Sequence, residues 1–381
     1  MLRHCASCAA QIPQTAPRCA SCKTRYCGRD CQKRHWKGGH KQVCDQIKRR
    51  GGAEQCHAEK QCKDAVAVAV AKCADDTKGQ TCYICTEAVV RRTGEGLVSG
   101  FCACRGGSSY AHVSCLAEQA KILIAEAEEN NLNVQPHWKR WHMCSVCEQG
   151  YHGVVMCALG WACWKTYVGR PEANRIRRCA MTVLGNGLGL AGHHEDALSV
   201  QETEFSIVQR LGASEANLLD FQSNFAITYH NLGRDERALQ IERDVYFGRL
   251  KLNGEQNYYT VNAANNYAVS LVQLKRFEEV KVLLRKTIPV ARRVLGDSDA
   301  HTLRMRCNCA VALHNDKGAT LDDRREAVTM LEDTARIARR VFGGTYPLTV
   351  DIEEELRRAA LAARETQPCT CVPVPPPSGR T

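Results

Sequence analysis

CYIC at residues 82–85, CAC at 102–104, HVSC at 112–115 and CSVC at 144–147 are the motifs that decide the fold of the central part of the chain. Each supplies a pair of side chains that bind transition metals. Two thiolates separated by two residues can sit on one tight turn and hold a tetrahedral zinc ion. The four pairs therefore predict two closed structural zinc sites.

A second set of cysteine pairs occupies the first 50 residues. Its members are Cys5, Cys8, Cys19, Cys22, Cys27, Cys31, His40 and Cys44. A segment this short buries too little apolar surface to fold alone, so metal binding has to supply the folding free energy, on the order of 10 kcal/mol per structural zinc. We therefore expect two further zinc sites here.

The N-terminal set resembles a MYND finger over nearly the whole of residues 1–48. The resemblance rests on Tyr26-Cys27-x3-Cys31-Gln32, Trp36 and His40-Lys41-x2-Cys44. The family's interleaved pairing implies one zinc on Cys5, Cys8, Cys27 and Cys31 and another on Cys19, Cys22, His40 and Cys44. Three residues separate Trp36 from His40 where the usual pattern has two, which leaves His35 as an alternative ligand. MYND fingers dock short, often proline-containing peptides; a structural zinc knob without a partner is the alternative.

The central set, residues 81–150, resembles a RING-CH domain. The segments Cys104-Arg-Gly-Gly-Ser108 and His112-Val-Ser-Cys-Leu116 carry this resemblance, and the gap lengths favour it over a PHD finger. The family's interleaved scheme implies one zinc on Cys82, Cys85, His112 and Cys115 and another on Cys102, Cys104, Cys144 and Cys147. The expected cofactor is therefore zinc, with four ions in the whole chain.

The RING-CH resemblance implies a ubiquitin ligase, which holds a charged conjugating enzyme and uses no nucleophile of its own. Ile84 matches the usual apolar residue that docks the conjugating enzyme. The tryptophan that commonly follows the His-x2-Cys-Leu segment is missing here, and Trp138 or Trp141 are the candidates to replace it. Glu148 follows the last cysteine, where many active RINGs have a cation. The alternative is a non-enzymatic zinc scaffold.

Residues 49–80 connect the two zinc modules. Their alanine and charged residues favour a helix, although the alternation over residues 65–70 would also suit a strand. Cys56, Cys62 and Cys73 lack the spacing of a metal site, and we expect buried or free thiols.

A repeat of 42 residues follows the zinc ligands. Leu211-Gly212, Asn253-Gly254 and Leu295-Gly296 recur at this period, and Phe342-Gly343 follows after 47 residues. A fixed period of this length predicts a solenoid of helix pairs. The segment resembles tetratricopeptide repeats, especially the longer kind of kinesin light chain. We expect pairs at 171–211, 213–253, 255–295 and 298–342, and a capping helix at 349–364. The predicted fold class is multidomain: two small two-zinc cross-brace modules, then an all-α tetratricopeptide-like solenoid over 151–365.

Polar residues recur on the first helix of three pairs, four and seven positions apart and hence on one face. They are Asp220, Asn224 and Asn231; Asn262, Asn266 and Gln273; and Arg304, Asn308 and Asn315. First helices line the inner surface of the family resembled, so these residues are candidates for a groove that binds an extended peptide. A solvated helix face is the alternative.

The formal net charge of +11 overstates the basic character of the chain. Four zinc complexes with fourteen thiolates and two histidines would carry six negative charges, which leaves about +5. This argues against nucleic acid as a partner and for proteins or peptides. No apolar run approaches the roughly 20 residues of a membrane span, and no secretory signal is visible. We therefore expect a cytoplasmic or nuclear protein without a membrane partner.

The last segment, residues 366–381, is proline-rich, and we expect it to be disordered. The sequence assigns no role to Cys307, Cys309, Cys369 or Cys371. It also leaves the substrate and the conjugating enzyme open.

Overall fold

The computed structural model describes residues 4–10, 12–13, 15–102, 104–344 and 347–365. These residues form α-helices joined by loops and short non-α helical turns, and β structure in this part of the chain is limited to isolated bridges. The helices are α1 (Arg29–His35), α2 (Lys41–Arg49), α3 (Ala53–Lys72), α4 (Val113–Glu129), α5 (Gln135–Trp138), α6 (Gly153–Tyr167), α7 (Arg175–Leu190), α8 (His194–Arg210), α9 (Glu215–Asn231), α10 (Asp235–Asn253), α11 (Tyr258–Gln273), α12 (Phe277–Val294), α13 (Ala300–Asn315), α14 (Leu321–Phe342) and α15 (Pro347–Glu365).

The chain divides into two compact units, residues 1–214 and 215–381. The first unit contains both cysteine-rich modules and the helices up to α8, and the second contains α9 to α15. The connector is helical, because α3 covers residues 53–72. The predicted helix pairs and the final helix are present as α7 to α15. The domain boundaries at residues 48, 80 and 150 stay predictions.

One hydrophobic core runs through most of the first unit. It joins buried residues of α3, of the central cysteine-rich module and of α4, α6 and α7. The N-terminal module has a small separate core around Tyr26. The central module therefore uses its apolar side chains to pack against helices of its own chain.

Helix α6 lies at the centre of this core, where eleven of its fifteen residues are buried. A helix buried on almost all sides cannot be amphipathic, and this explains its continuous apolar sequence. Glycines bring α6 close to α7: a Cβ on Gly187 would lie 2.7 Å from the Met156 carbonyl oxygen, and one on Gly160 would lie 3.1 Å from Leu184 Cα. Gly187, the middle glycine of the GxGxG run at residues 185–189, thus serves helix packing.

The second unit shows why the 42-residue repeat contains a glycine. Gly254, Gly296 and Gly343 have φ values of +76°, +95° and +86° and follow the ends of α10, α12 and α14. Glycine adopts this left-handed conformation without the steric cost that a Cβ imposes. The next helices begin with side-chain caps at Asn257 and Asp299.

The last repeat gains residues in a loop and in a helix. The loop at residues 316–320 has five residues where the loop between α11 and α12 has three, and α14 has 22 residues against 18 in α12. One residue is saved after the helix, because Gly343 follows α14 directly whereas Leu295 separates α12 from Gly296, so the net gain is five. A capping box of Thr320 and Asp323 fixes the start of the longer helix.

No described helix of the chain combines the length and the apolar character that crossing a membrane would require.

Candidate zinc centres and the face of the helical array

The N-terminal module brings eight metal-binding side chains into two groups, and the ligand atoms within each group lie within 4.8 Å of one another. The groups are Cys5, Cys8, Cys27 and Cys31, and Cys19, Cys22, His40 and Cys44. The first and third pairs along the chain form one group, and the second and fourth form the other. This interleaving is the cross-brace arrangement that the resemblance implies.

His40 belongs to the second group and His35 does not. The Nε2 atom of His40 lies 3.3 Å from Cys22 Sγ. His35 instead shares a hydrogen bond of 3.0 Å between its Nδ1 atom and the hydroxyl of Tyr26, and its ring stacks on His40. The extra residue before His40 is absorbed by a kinked turn at Trp36–His40, in which Gly39 leaves the helical conformation with a φ of +121°. This turn lets the longer spacing still place His40 beside the cysteines.

The central module forms two more groups of the same kind, again with ligand atoms within 4.8 Å. They are Cys82, Cys85, His112 and Cys115, and Cys102, Cys104, Cys144 and Cys147. Their pairing is also interleaved. His112 faces the thiols of its group with Nδ1, which lies 3.4 Å from Cys85 Sγ, whereas His40 faces its own group with Nε2.

Four of the cysteine pairs share one backbone geometry. In each, the residue directly after the second cysteine is left-handed: Ala9, Lys23, Thr86 and Glu148 have φ values of +57°, +65°, +64° and +54°. The amide of the first cysteine also donates to the carbonyl five residues later, over 2.8, 2.7, 3.0 and 2.9 Å for Cys5, Cys19, Cys82 and Cys144. These turns direct both thiols to one point. Side chains other than glycine rarely adopt this conformation, so spacing alone did not reveal these four residues.

Nearby donors are placed to stabilise thiolates. The amides of Ile84 and Val146 donate to Cys82 Sγ and Cys144 Sγ over 3.4 and 3.3 Å. The guanidinium of Arg34 donates to Cys31 Sγ over 3.2 Å. Hydrogen bonds to coordinating sulfur reduce its negative charge and orient it toward the metal. Two groups of four cysteines, and two groups of three cysteines with one histidine, fit four structural zinc ions.

Comparisons with known proteins agree with this arrangement at two places in the chain. Residues 5–44 match the MYND finger. Residues 260–301 match a tetratricopeptide repeat. The chain is thus a zinc-binding protein with a MYND finger, a second cysteine-rich module and tetratricopeptide-like helices, a combination typical of protein interaction.

Similar solved structures include kinesin-light-chain proteins. Two structures of a Podosopora anserina protein described as a putative kinesin light chain with nearly identical TPR-like repeats are 18% identical to this chain, with TM-scores of 0.40. They cover 60% and 61% of this chain and 97% and 98% of their own. BtubC (BKLC) from P. vanneervenii is 14% identical and covers 71% of this chain and 95% of its own, with a TM-score of 0.36. No curated protein matches the chain.

The aromatic residues expected to replace the missing docking tryptophan lie in the core. Trp138 is 7% exposed, Trp141 is fully buried, and both rings pack against Tyr167. Neither can therefore offer an aromatic surface to a conjugating enzyme, and that expectation was wrong. The sequence left the burial of these two tryptophans open, because it depends on where Tyr167 of α6 packs.

The other residues of the expected docking surface have partners in their own module. Ile84 is half-buried and packs against the core of the first unit. The carboxylate of Glu148 accepts from Lys139 over 2.9 Å and from Arg140 over 2.7 Å. These two cations hold the pKa of Glu148 below its usual value through hydrogen bonds. Glu148 is thus part of a surface ion-pair cluster.

The nine polar residues expected on the array lie on α9, α11 and α13, and none of them is buried. Asn262, Asn266 and Asn308 are half-buried, and the other six are exposed. Three already have structural contacts. Asp220 pairs with the buried Arg249, and Asn266 Nδ2 donates to Ser223 Oγ over 3.2 Å. Asn315 Nδ2 donates to the Val311 carbonyl oxygen over 3.1 Å.

The cysteines without metal-site spacing are thiols outside the four groups. Cys62 and Cys73 are buried and Cys56 is half-buried. Cys307 and Cys309 are also buried, and burial raises the pKa of both, to about 12 and about 11. Such thiols are poor nucleophiles and poor metal ligands. Cys369 and Cys371, with the proline-rich segment 366–381, lie outside the described residues.

Proposed function

We propose that the chain is an adaptor whose helical array binds an extended segment of a partner protein. The proposed groove is the face of α9, α11 and α13 that carries the nine polar residues. The observation that carries the proposal is the exposure of amides on this face of the first helices. Asn224, Asn231 and Gln273 are exposed, and their amides have no partner among the described residues.

The geometry of packed helices sets the length of the bound segment. Neighbouring helices pack about 8–10 Å apart, and an extended chain rises about 3.3 Å per residue. One repeat therefore matches about three peptide residues, and the face of three first helices matches about nine. Side-chain amides can both donate to and accept from a peptide backbone, which gives affinity with little dependence on the bound sequence.

Binding of a random peptide library by the full chain tests this proposal. Asn224→Ala with Gln273→Ala should weaken binding of the selected peptides by about thirtyfold, since each of the two removed hydrogen bonds contributes about 1 kcal/mol. Gln240→Ala is the matched control, because this exposed amide lies on the second helix α10. Equal loss in the control, or unchanged binding in the double variant, would show that this face is not the groove.

The MYND finger would supply a second peptide-docking surface. Its two zinc centres fix the short helices α1 and α2, and the Trp36 side chain between them is 42% exposed. Zinc-bound thiolates need a reducing compartment, and the described cysteines are all free thiols. We therefore propose a cytoplasmic or nuclear location, with proteins as partners rather than nucleic acid.

A ubiquitin ligase of the RING-CH type is the second candidate function. The interleaved pairing of residues 82–147 and the position of Ile84 between the first two ligands favour it. Two observations favour an adaptor without ligase activity. Trp138 and Trp141 are buried, and Ile84 packs against the core of the first unit.

Autoubiquitination with a panel of conjugating enzymes decides between the two functions. Activity that is lost in Ile84→Ala with all four zinc ions retained would support a ligase. Val89→Ala is the control, because Val89 is a 48% exposed apolar residue of the same module. Inactivity of the wild-type chain across the panel would leave the adaptor function alone.

A further inference from the structure

A cavity of about 290 Å³ lies inside the first unit, between the MYND finger, the start of α3 and helices α6 to α8. Its lining carries six cationic side chains against two carboxylates. The cations are Arg18, Lys23, Arg25, Arg170, Arg177 and Arg210, and the carboxylates are Glu54 and Glu172.

The arginines of the helical wall are held in fixed positions. Arg177 pairs with Glu54 over 3.2 Å, and its guanidinium lies 5.5 Å from the centre of the Trp164 ring. Arg210 pairs with Glu172 over 2.6 Å. The Arg177 side chain is only 16% exposed, and its Nε–H has no hydrogen-bond partner among the described residues. A buried N–H donor without an acceptor is costly, and an anion could complete the hydrogen bonds of this half-buried guanidinium.

The finger places its own cations on the opposite wall. Arg18 and Arg25 face each other across an isolated antiparallel bridge, and Lys23 lies on the turn between them. Two neighbouring guanidinium groups repel each other, and an anion between the walls would relieve this repulsion.

The cations outnumber the available negative charges. Arg170 uses Glu128, a carboxylate outside the lining, in a pair of hydrogen bonds of 2.7 Å. Glu128, Glu54 and Glu172 pair with Arg170, Arg177 and Arg210, while Lys23 and Arg25 form no ion pair with the described residues. The adjacent zinc complex, with three thiolates and one histidine, would offset only one of these two positive charges. The cavity is therefore suited to an anion.

The start of α3 adds backbone donors to the same wall. Gly51 and Gly52 have φ values of +90° and +95°. Gly52 is the N-cap residue of α3 and has no side chain to accept from the first N–H groups of the helix. The first-turn N–H groups of a helix lack intrahelical acceptors and favour an anion, and α3 is 20 residues long. The Ala53 N–H already donates to the Cys22 carbonyl oxygen over 2.8 Å, so an anion would face the N–H groups that follow it. A Cβ on Gly52 would lie 3.3 Å from the Cys22 carbonyl oxygen, so glycine also lets the finger approach this helix.

We propose that this cavity binds a phosphate-bearing ligand between the finger and the helical wall. A phosphate group carries close to two negative charges near neutral pH and accepts paired hydrogen bonds from arginine. The volume suits a small phosphorylated molecule or one phosphorylated side chain of a partner. Both sources share the phosphate group, and binding would join the finger to α7 and α8.

Isothermal titration of the zinc-loaded full chain with inorganic pyrophosphate and with O-phosphoserine tests the proposal. We expect saturable binding of at least one probe with one site per chain. Arg210→Gln and Arg25→Gln should each weaken it about tenfold or more, because each removes a charge-assisted contact. Arg340→Gln is the matched control, since this exposed arginine lies on α14 in the other unit. Zinc content checks the fold of each variant.

The choice of probe identifies the source of the phosphate. Tighter binding of pyrophosphate indicates a free metabolite, and tighter binding of phosphoserine indicates a phosphorylated protein. No saturable binding of either probe up to on the order of 10 mM would overturn the proposal. It would equally be overturned if Arg210→Gln bound as tightly as Arg340→Gln, because the anion would then lie elsewhere.

Discussion

Replacing Gly187 by alanine tests whether the close contact of α6 and α7 holds the first unit together. The new Cβ would lie 2.7 Å from the Met156 carbonyl oxygen and 3.1 Å from Cys157 Cα. Both neighbours are backbone atoms inside the helix, so they can move only if the two helices separate. Gly189→Ala is the matched control, because its Cβ would meet nothing within 4 Å on the same helix.

The expected magnitude follows from two opposing effects. Alanine is favoured over glycine inside a helix by about 1 kcal/mol, and this gain applies to both variants. Overpacking of a tight core costs about 1–3 kcal/mol and applies to Gly187 alone. We therefore expect Gly187→Ala to lower the free energy of unfolding by up to about 2 kcal/mol, while Gly189→Ala raises it by up to about 1 kcal/mol. The difference between the variants isolates the overpacking cost.

Urea unfolding followed by tryptophan fluorescence measures this difference. All five tryptophans of the chain belong to the first unit, so their emission reports this unit and not the second. With a slope of about 1–3 kcal/mol per molar urea, the two midpoints should differ by about 1 M. Equal midpoints for Gly187→Ala and Gly189→Ala would refute the close approach of these helices.

Three further predictions concern the first unit. Burial raises the pKa of Glu204 from 4.5 to about 8, so the folded state keeps a proton that the unfolded state loses above pH 4.5. The contribution of this group to the free energy of unfolding is therefore full below pH 4.5 and falls as the pH rises to 8, by at most about 1.4 kcal/mol per pH unit. Glu204→Gln should remove this dependence, and an unchanged fall in urea midpoint between pH 6 and 8 would contradict it. Trp141→Ala should lower the free energy of unfolding by about 3–5 kcal/mol, whereas Ile122→Ala at an exposed position should lower it by about 0.5 kcal/mol. Similar losses in the two variants would place Trp141 outside the core. His40→Ala should lower the zinc content by one ion while His35→Ala retains all four, and the reverse result would exchange their roles.

The sequence was sufficient to find the metal ligands because the two members of each ligand pair are separated by only one to three residues. The spacing of Cys82 and Cys85 is visible in four letters, and one tight turn of the backbone realises it. The pairing of such turns came from resemblance to known families, and the structure gives the same interleaved order. The repeat at Gly254 and Gly296 was equally visible, since a left-handed residue must end each of those helices.

The sequence was insufficient where distant segments meet. Trp141 could be exposed or buried until α6 and Tyr167 are placed against it. The phosphate cavity joins Arg25 to Arg210, which lie far apart in the chain, and charge counts do not show that they line one space. Likewise, the repeat phase selected Asn266 for the groove but did not show its hydrogen bond to Ser223 of the preceding repeat.

Two cross-braced modules hold four zinc ions in one chain. Zinc measured by inductively coupled plasma mass spectrometry on the purified full chain, against protein concentration from amino-acid analysis, tests it most directly. We predict four zinc ions per chain, as the four ligand groups require. Two or fewer would contradict the claim, because at least one module would then have to fold without its metal.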